Sequence, residues 1–285
     1  MISAEEVKGF EDLIRQERSD LGISNQELVQ SAFNENRDAL TLLINQEKIS
    51  QCIKNLREHC FRLTLKQEEL LIESVLSKMS KVCYSPEKLL NKLLDEHNFR
   101  DRSLNTFSKV KKIVNFYSIY TSPLTYKLHL SNTNSRRANA GKVFEQIIYQ
   151  LYGYLGYKYD SQASLGSRAF REAGIGKSVD SVLPSLESYV SRRDRVIVGT
   201  MKTTLRERWQ QVEEERARLN LPSIYLLTAD EDISANKAET IDQHNIKLVV
   251  YEEVKENISY NGPLSFEDYF LREVPLIFDY WSSCN

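Results

Sequence analysis

The chain has 285 residues, of which 41% are hydrophobic and 27% charged, with a formal net charge of −2. That length suits one sizeable core or two modest domains, and the balance excludes disordered and fibrous classes. No apolar run reaches the ~20 residues that span a bilayer, the opening MISAEEVKGF lacks the apolar core of a secretory leader, and Cys52, Cys60, Cys83 and Cys284 show no metal-ligand or redox spacing, so a cytoplasmic protein with reduced thiols and no membrane partner is expected.

Residues 1 to about 120 read as mainly helical. Apolar positions recur at three and four, as in Val7, Phe10, Leu13, Ile14 and in Leu70, Leu71, Val75, Met79. Ser85-Pro86-Glu87 looks like a helix start, with Ser85 as cap and Pro86 at the first helical position. The texture changes after Pro123, so a division near residue 125 is expected, with residues 1–125 as a helical N-terminal region and 126–285 as a second domain. A helix is expected from about Ser135 to Leu155, with Phe144, Ile148, Leu151 and Leu155 on one face.

Strands are then expected over Tyr157–Ser161, Val179–Leu183 and Val196–Lys202, and a helix over Leu205–Leu219. Ser223–Thr228 reads as a strand, Ser234–His244 as a helix and Lys247–Tyr251 as a strand. This alternation predicts an α/β fold with helices covering a mixed central sheet. The aromatic tail (Phe266, Tyr269, Phe270, Phe278, Tyr280, Trp281) reads as core or dimer interface.

Charge is uneven along the chain. Residues 131–220 hold 15 Lys and Arg against 10 Asp and Glu, a balance of +5, while the rest carries −7. Such a segment can mark a face that meets an anion, or simply a solvated surface. Gly174-Ile-Gly-Lys-Ser178 resembles the end of a phosphate-binding loop, but Arg171 stands where the first glycine is required. The segment also leads into a strand, so no nucleotide cofactor is expected, and it reads as a flexible loop.

The chemistry concentrates in Val179-Asp180, in Val196–Lys202, and in the run Thr203-Thr-Leu-Arg-Glu-Arg-Trp209. If the two strands pair, Asp180 and Lys202 come together. A carboxylate that holds a divalent metal, beside a lysine that orients water, is the grouping that phosphodiester hydrolysis needs. One carboxylate holds a metal poorly, and the position two before the lysine is Thr200, not an acid. On the following helix Glu215 borders the buried stripe of Leu205, Trp209, Val212 and Leu219, whereas Glu214 points away and Glu213 lies to the side. By spacing alone, Glu213-Glu214-Glu215 is equally a solvated face. Glu145 borders Ile148 in the same manner. Arg206-Glu207-Arg208 can read adjacent G and C bases in a major groove, or be plain surface charge.

These motifs, with Ser135-Arg-Arg-Ala-Asn-Ala-Gly-Lys-Val-Phe-Glu145, resemble the restriction endonucleases of the EcoRII, SsoII and PspGI group, relatives of NgoMIV. The resemblance covers roughly Ser135 to Leu219. That family spaces an aspartate, a lysine 22 positions on and a glutamate 13 beyond, and it replaces the usual acid before the lysine with a small residue. Asp180, Lys202, Glu215 and Thr200 fit.

The resemblance implies a restriction-endonuclease-like core and Mg²⁺-dependent cleavage of palindromic double-stranded DNA with a CCNGG- or CCGG-like core. It implies Asp180 and Glu215 as metal ligands, Lys202 and Glu145 as their catalytic partners, and Arg206, Glu207 and Arg208 as readers of the half-site. Asn134, Arg136 and Arg137 would lie near the DNA. A homodimer follows, with the helical N-terminal region contacting DNA or dimerising. Some members flip nucleotides onto an aromatic ring; Phe61 near Arg57 and Arg62, or Tyr84 near Lys81, could serve here, though each reads first as ordinary packing. The rival readings are a repair-type nuclease without fixed sequence and a non-catalytic DNA-binding regulator.

Overall fold

The computed structural model describes residues 2–82, 91, 105–176, 178–206 and 208–283, with the side chain of Arg208 excluded. The expected helix start at Ser85-Pro86-Glu87, and Tyr84, Cys83, Cys284 and Glu207, lie outside the described residues. The chain divides into two compact units, Met1–Ser24 with Arg62–Ala138, and Asn25–Phe61 with Asn139–Asn285.

The first part is helical, as expected: α1 (Ala4–Leu21), α2 (Asn25–Glu35), α3 (Arg37–Asn45) and α4 (Ile49–Lys78). Ser3 starts α1 with a reciprocal capping box to Glu6. Phe10, Leu13 and Ile14 of α1 pack with Leu71, Val75 and Met79 and with Leu124 and Leu128. Glu17 is buried in this unit and accepts from Lys78 Nζ at 2.7 Å and Ser74 Oγ at 2.6 Å. Its charge is thereby paired rather than stranded.

The helix expected from Ser135 is much longer. It is α5 (Thr106–Tyr154), and it runs through Pro123. Proline removes an N–H from the ladder and crowds the preceding turn, at a cost of about 3 kcal/mol. Two features offset that cost: Leu124 and Leu128 are fully buried, and hydroxyls engage backbone carbonyls around the proline. Thr121 Oγ1 donates to Tyr117 O at 2.9 Å, and Thr125 Oγ1 to Thr121 O at 3.1 Å. The start is set by Asn105, whose Oδ1 accepts from Ser108 N at 2.8 Å.

The other unit holds a mixed sheet of β1 (Asp160–Ser161), β2 (Ser181–Leu183), β3 (Ile197–Lys202), β4 (Ile224–Thr228), β5 (Ile246–Val250) and β6 (Leu264–Ser265), in that spatial order. β1, β2 and β3 pair antiparallel; β3, β4, β5 and β6 pair parallel. Parallel neighbours need crossovers, and α8 (Arg208–Leu219), α9 (Ala235–Gln243) and α10 (Glu252–Asn257) supply them. The buried runs of β3 and β4 follow from cover on both faces.

The sheet expectation was right in kind, and its first strand is shorter than expected. Ser161 caps a helix, α6 (Gln162–Glu172), that the sequence reading missed. Also missed were α7 (Leu186–Ser191) and the C-terminal segment. That segment opens as α11 (Phe266–Asp268), passes a π-helical stretch at Tyr269–Glu273 and continues as α12 (Val274–Ser283). Phe266, Tyr269 and Phe270 are fully buried, so these three belong to the core. Cys52 and Cys60 are buried, and burial pushes both thiols up to about 12. Among the described residues, no helix is long and apolar enough to cross a membrane.

Candidate active site

The site begins with the antiparallel pairing of β2 and β3. Ser181 pairs with Gly199 and Val182 with Val198, and the Asp180 N–H donates to Gly199 O at 2.9 Å, extending the ladder by one residue. Side chains alternate along a strand, so Asp180, Thr200 and Lys202 share a face. The close approach depends on Gly199, where a Cβ would sit 2.7 Å from Ser181 Oγ.

Asp180 Oδ2 accepts from Met201 N at 2.6 Å, Thr200 Oγ1 at 3.2 Å and Lys202 Nζ at 3.3 Å. Burial pushes this carboxyl up, and Lys202 and the Met201 N–H pull it back. The residue two before the lysine is thus not idle, because Thr200 supplies a hydroxyl donor to the aspartate.

Helix α5 contributes to the same site. Its Tyr149 hydroxyl donates to Asp180 O at 2.8 Å. Burial, then the Asp180 and Glu145 charges, push that phenol up, so it remains a neutral donor. Glu145, one turn earlier on the same face, is pushed up to about 7 by burial and then by Asp180, with Lys202 and Lys142 pulling back. Asp180, Lys202 and Glu145 therefore feel one another's charge.

Glu215 is buried, as the helical period predicts, with Glu213 half-buried and Glu214 exposed. Its partners lie elsewhere. Oε1 accepts from Gly176 N at 2.8 Å and Arg218 Nη2 at 2.5 Å, and Oε2 accepts from Arg218 Nε at 3.4 Å. Burial acts against its charge, but Arg218 and the Gly176 N–H hold the carboxyl below the usual range. A Cβ at Gly176 would meet Glu215 Oε1 at 2.4 Å, so a side chain there would require the Glu215 carboxylate to shift. On either side of the loop segment before Asp180, Gln162 Nε2 donates to Gly176 O at 3.0 Å and Val179 O at 2.8 Å. Among the described residues, no three His, Cys, Asp or Glu side chains form a group spaced to hold a metal.

Arg206 departs from the helix expectation. It is exposed, has a left-handed φ of 36° and precedes α8, which starts at Arg208. In the other compact unit Asn134 and Arg137 are exposed, and Arg136 pairs with Glu68 at 2.8 Å. Phe61 is 53% exposed, while Arg57 donates to Tyr251 at 2.7 Å. Tyr149 and Gln162 carried no signal in the sequence, since each acts through a contact made only in the fold; Arg218 stands three positions after Glu215 on α8, a helical spacing that could have found it.

A mixed sheet that joins an aspartate and a lysine from adjacent antiparallel strands, with a helical glutamate facing them, defines a restriction-endonuclease-like protein. The EcoRII C-terminal family model matches residues 91–265, and the chain belongs to that family. It is 37% identical over 184 residues to the type II restriction enzyme SsoII of Shigella sonnei, covering 64% of this chain and 58% of that enzyme. Among solved structures it resembles metal-depleted Ecl18kI in complex with uncleaved DNA, with a TM-score of 0.70 and 27% identity over 96% of this chain and 86% of that one. The restriction endonuclease PspGI bound to substrate DNA shares the fold, with a TM-score of 0.60 and 16% identity over 91% and 94% of the two chains.

Proposed function

We propose that this protein is a type II restriction endonuclease that hydrolyses double-stranded DNA at a palindrome with a CCNGG- or CCGG-like core. The observation that carries the reading is the Asp180–Lys202 contact at 3.3 Å, with Glu145 charge-coupled to both, in a chain of this family.

The donor set fits a hard divalent cation, with Mg²⁺ as the physiological choice. Burial and the Asp180 charge both penalise ionised Glu145, and a cation beside the two carboxylates removes that penalty. Asp180 and Glu145 already share this space; Glu215, the second metal acid by family spacing, would join on exchanging part of its Arg218 contact. When bound, such an ion lowers the pKa of water and neutralises phosphate charge. Lys202 holds its ammonium beside Asp180, where it can orient the attacking water and stabilise charge on the phosphate. Thr200 and the Met201 N–H keep the Asp180 carboxylate aimed.

Arg206, Glu207 and Arg208 follow the catalytic lysine closely and read the half-site. Asn134, Arg136 and Arg137 contact DNA alongside, Arg136 exchanging Glu68 for phosphate. A palindromic target is met by a two-fold homodimer, in the cytoplasm, where the DNA is.

The test is a digest of long DNA with Mg²⁺, followed by sequencing of the ends. Ends that share one palindromic motif are expected. A smear without a common motif would favour a repair-type nuclease, and retarded but uncut DNA a regulator; either would overturn the proposal. Arg206→Ala should cost about 1–3 kcal/mol in discrimination at one base pair. Comparing cleavage of the target with single-substitution sites measures this, and unchanged preference would remove Arg206 from the readout.

A further inference from the structure

The sequence Leu205-Arg-Glu-Arg favours helix by propensity and by apolar period, yet α8 begins only at Arg208. The residue before Arg206 is held instead from the end of β4. Asp230, just past the end of β4, accepts a hydrogen bond from the Leu205 N–H through Oδ2 at 2.7 Å. The Asp230 N–H in turn donates to Thr228 Oγ1 at 3.1 Å, and its Oδ1 accepts from Asp232 N at 3.2 Å. Thr228 pairs in register with Lys202, and Ala229 N donates to Lys202 O at 3.3 Å. The Leu205 side chain is fully buried. The four residues from Lys202 to Leu205 are therefore fixed at both ends against β4 and the residues just beyond it.

Arg206 is the first residue released from this clamp, and it takes the left-handed φ of 36°. For a residue with a Cβ that conformation is unfavourable, and it persists only when the surroundings impose it. Without an acceptor at Asp230, the Leu205 N–H loses its side-chain partner and the residue before Arg206 loses its tether to the end of β4. Arg206 is then released from its left-handed φ, and its guanidinium from its present direction.

We infer that Asp230 is a specificity-positioning residue: its carboxylate, by holding the Leu205 N–H, sets the direction of Arg206 relative to Lys202. It touches neither the scissile phosphate nor a base. The inference rests on the reading of Arg206 as a base contact and adds the residue that aims it. It ties readout to catalysis, because one carboxylate fixes the short link between the lysine and the arginine.

The experiment compares Asp230→Ala, Asp230→Asn and Arg206→Ala in the full chain with Mg²⁺. Its readout is the ratio of cleavage at the target to cleavage at sites with one changed base pair. Asp230→Ala should lower that ratio roughly tenfold, at the same base pair as Arg206→Ala. Asp230→Asn keeps an acceptor oxygen and should retain most of the discrimination. Amide hydrogen exchange of Leu205, read without DNA, should speed up in Asp230→Ala and much less in Asp230→Asn. A merely structural role would slow target and altered sites alike and leave the ratio constant, which would overturn the proposal. So would unchanged exchange at Leu205. If Arg206→Ala itself left discrimination intact, the base-contact reading would fail and the proposal with it. If Arg206→Ala relaxed it and Asp230→Ala did not, the proposal alone would fail.

Discussion

Asp180→Asn should abolish DNA cleavage while the protein stays folded and still binds its target. The choice of asparagine follows from the local hydrogen bonds. Asp180 Oδ2 accepts from Met201 N at 2.6 Å and from Thr200 Oγ1 at 3.2 Å. Asparagine keeps an oxygen for them but loses the charge that faces Lys202 and that the proposed metal role needs. Asp180→Ala should lose cleavage too, and also stability, by about 1–3 kcal/mol, because the Met201 N–H is left without its acceptor. Lys202→Ala removes the ammonium beside Asp180, and on the proposed role loss of one such preorganised group should cost about 10²- to 10³-fold in rate. It also leaves Asp180 and Glu145 repelling one another, so Glu145 should hold its proton more strongly. Single-turnover cleavage, gel retardation with Ca²⁺ in place of Mg²⁺ and thermal melting separate these effects. Cleavage at the wild-type rate by Asp180→Asn would remove the aspartate from the chemistry, whatever the fold.

Much of this geometry was legible beforehand because two periodicities are strong. Alternation along β2 and β3, with their pairing, is enough to put Asp180 beside Lys202. The three-and-four period of α8 picks Glu215 over Glu213 and Glu214 as the buried acid. Neither period reports what a side chain meets once it is inside. The burial of Glu215 was foreseen, but its engagement by Gly176 was not, because the loop reaches it from 39 positions away. The same limit hid Tyr149 and Asp230. Two boundaries were misread for opposite reasons. Pro123 is a helix breaker overruled by the burial of Leu124 and Leu128. Leu205-Arg206 is a helix former that the fold keeps outside α8, with Arg206 at a left-handed φ and the Leu205 N–H bonded to a carboxylate at a distant strand end. In each case a few kcal/mol of tertiary interaction outweighs a local preference of similar size.

Phe266→Ala should destabilise the unit that holds the sheet by about 3–5 kcal/mol. The ring is fully buried. It meets Tyr251 at 5.3 Å between centroids and Phe144 edge-on at 6.4 Å, so truncation loses both contacts and leaves a cavity that fixed neighbours cannot fill. Those neighbours are fixed for clear reasons. Tyr251 follows β5 and accepts from Arg57 Nη1 at 2.7 Å. Residue 266 itself is held by the capping box of Ser265 with Asp268, whose carboxylate also pairs with Lys255 at 2.5 Å and Arg272 at 2.8 Å. Phe144 adjoins Glu145 on α5, so the packing of the C-terminal segment braces the helix that carries the upstream acid. Denaturant unfolding should therefore show a lowered midpoint for Phe266→Ala and a smaller shift for Phe266→Leu, which keeps more of the buried volume. Below its midpoint the Ala variant should still cut DNA, more slowly, as Glu145 loses part of its support. A loss under about 1 kcal/mol would mean that the site relaxes to fill the space, and the bracing role assigned to this contact would then fall.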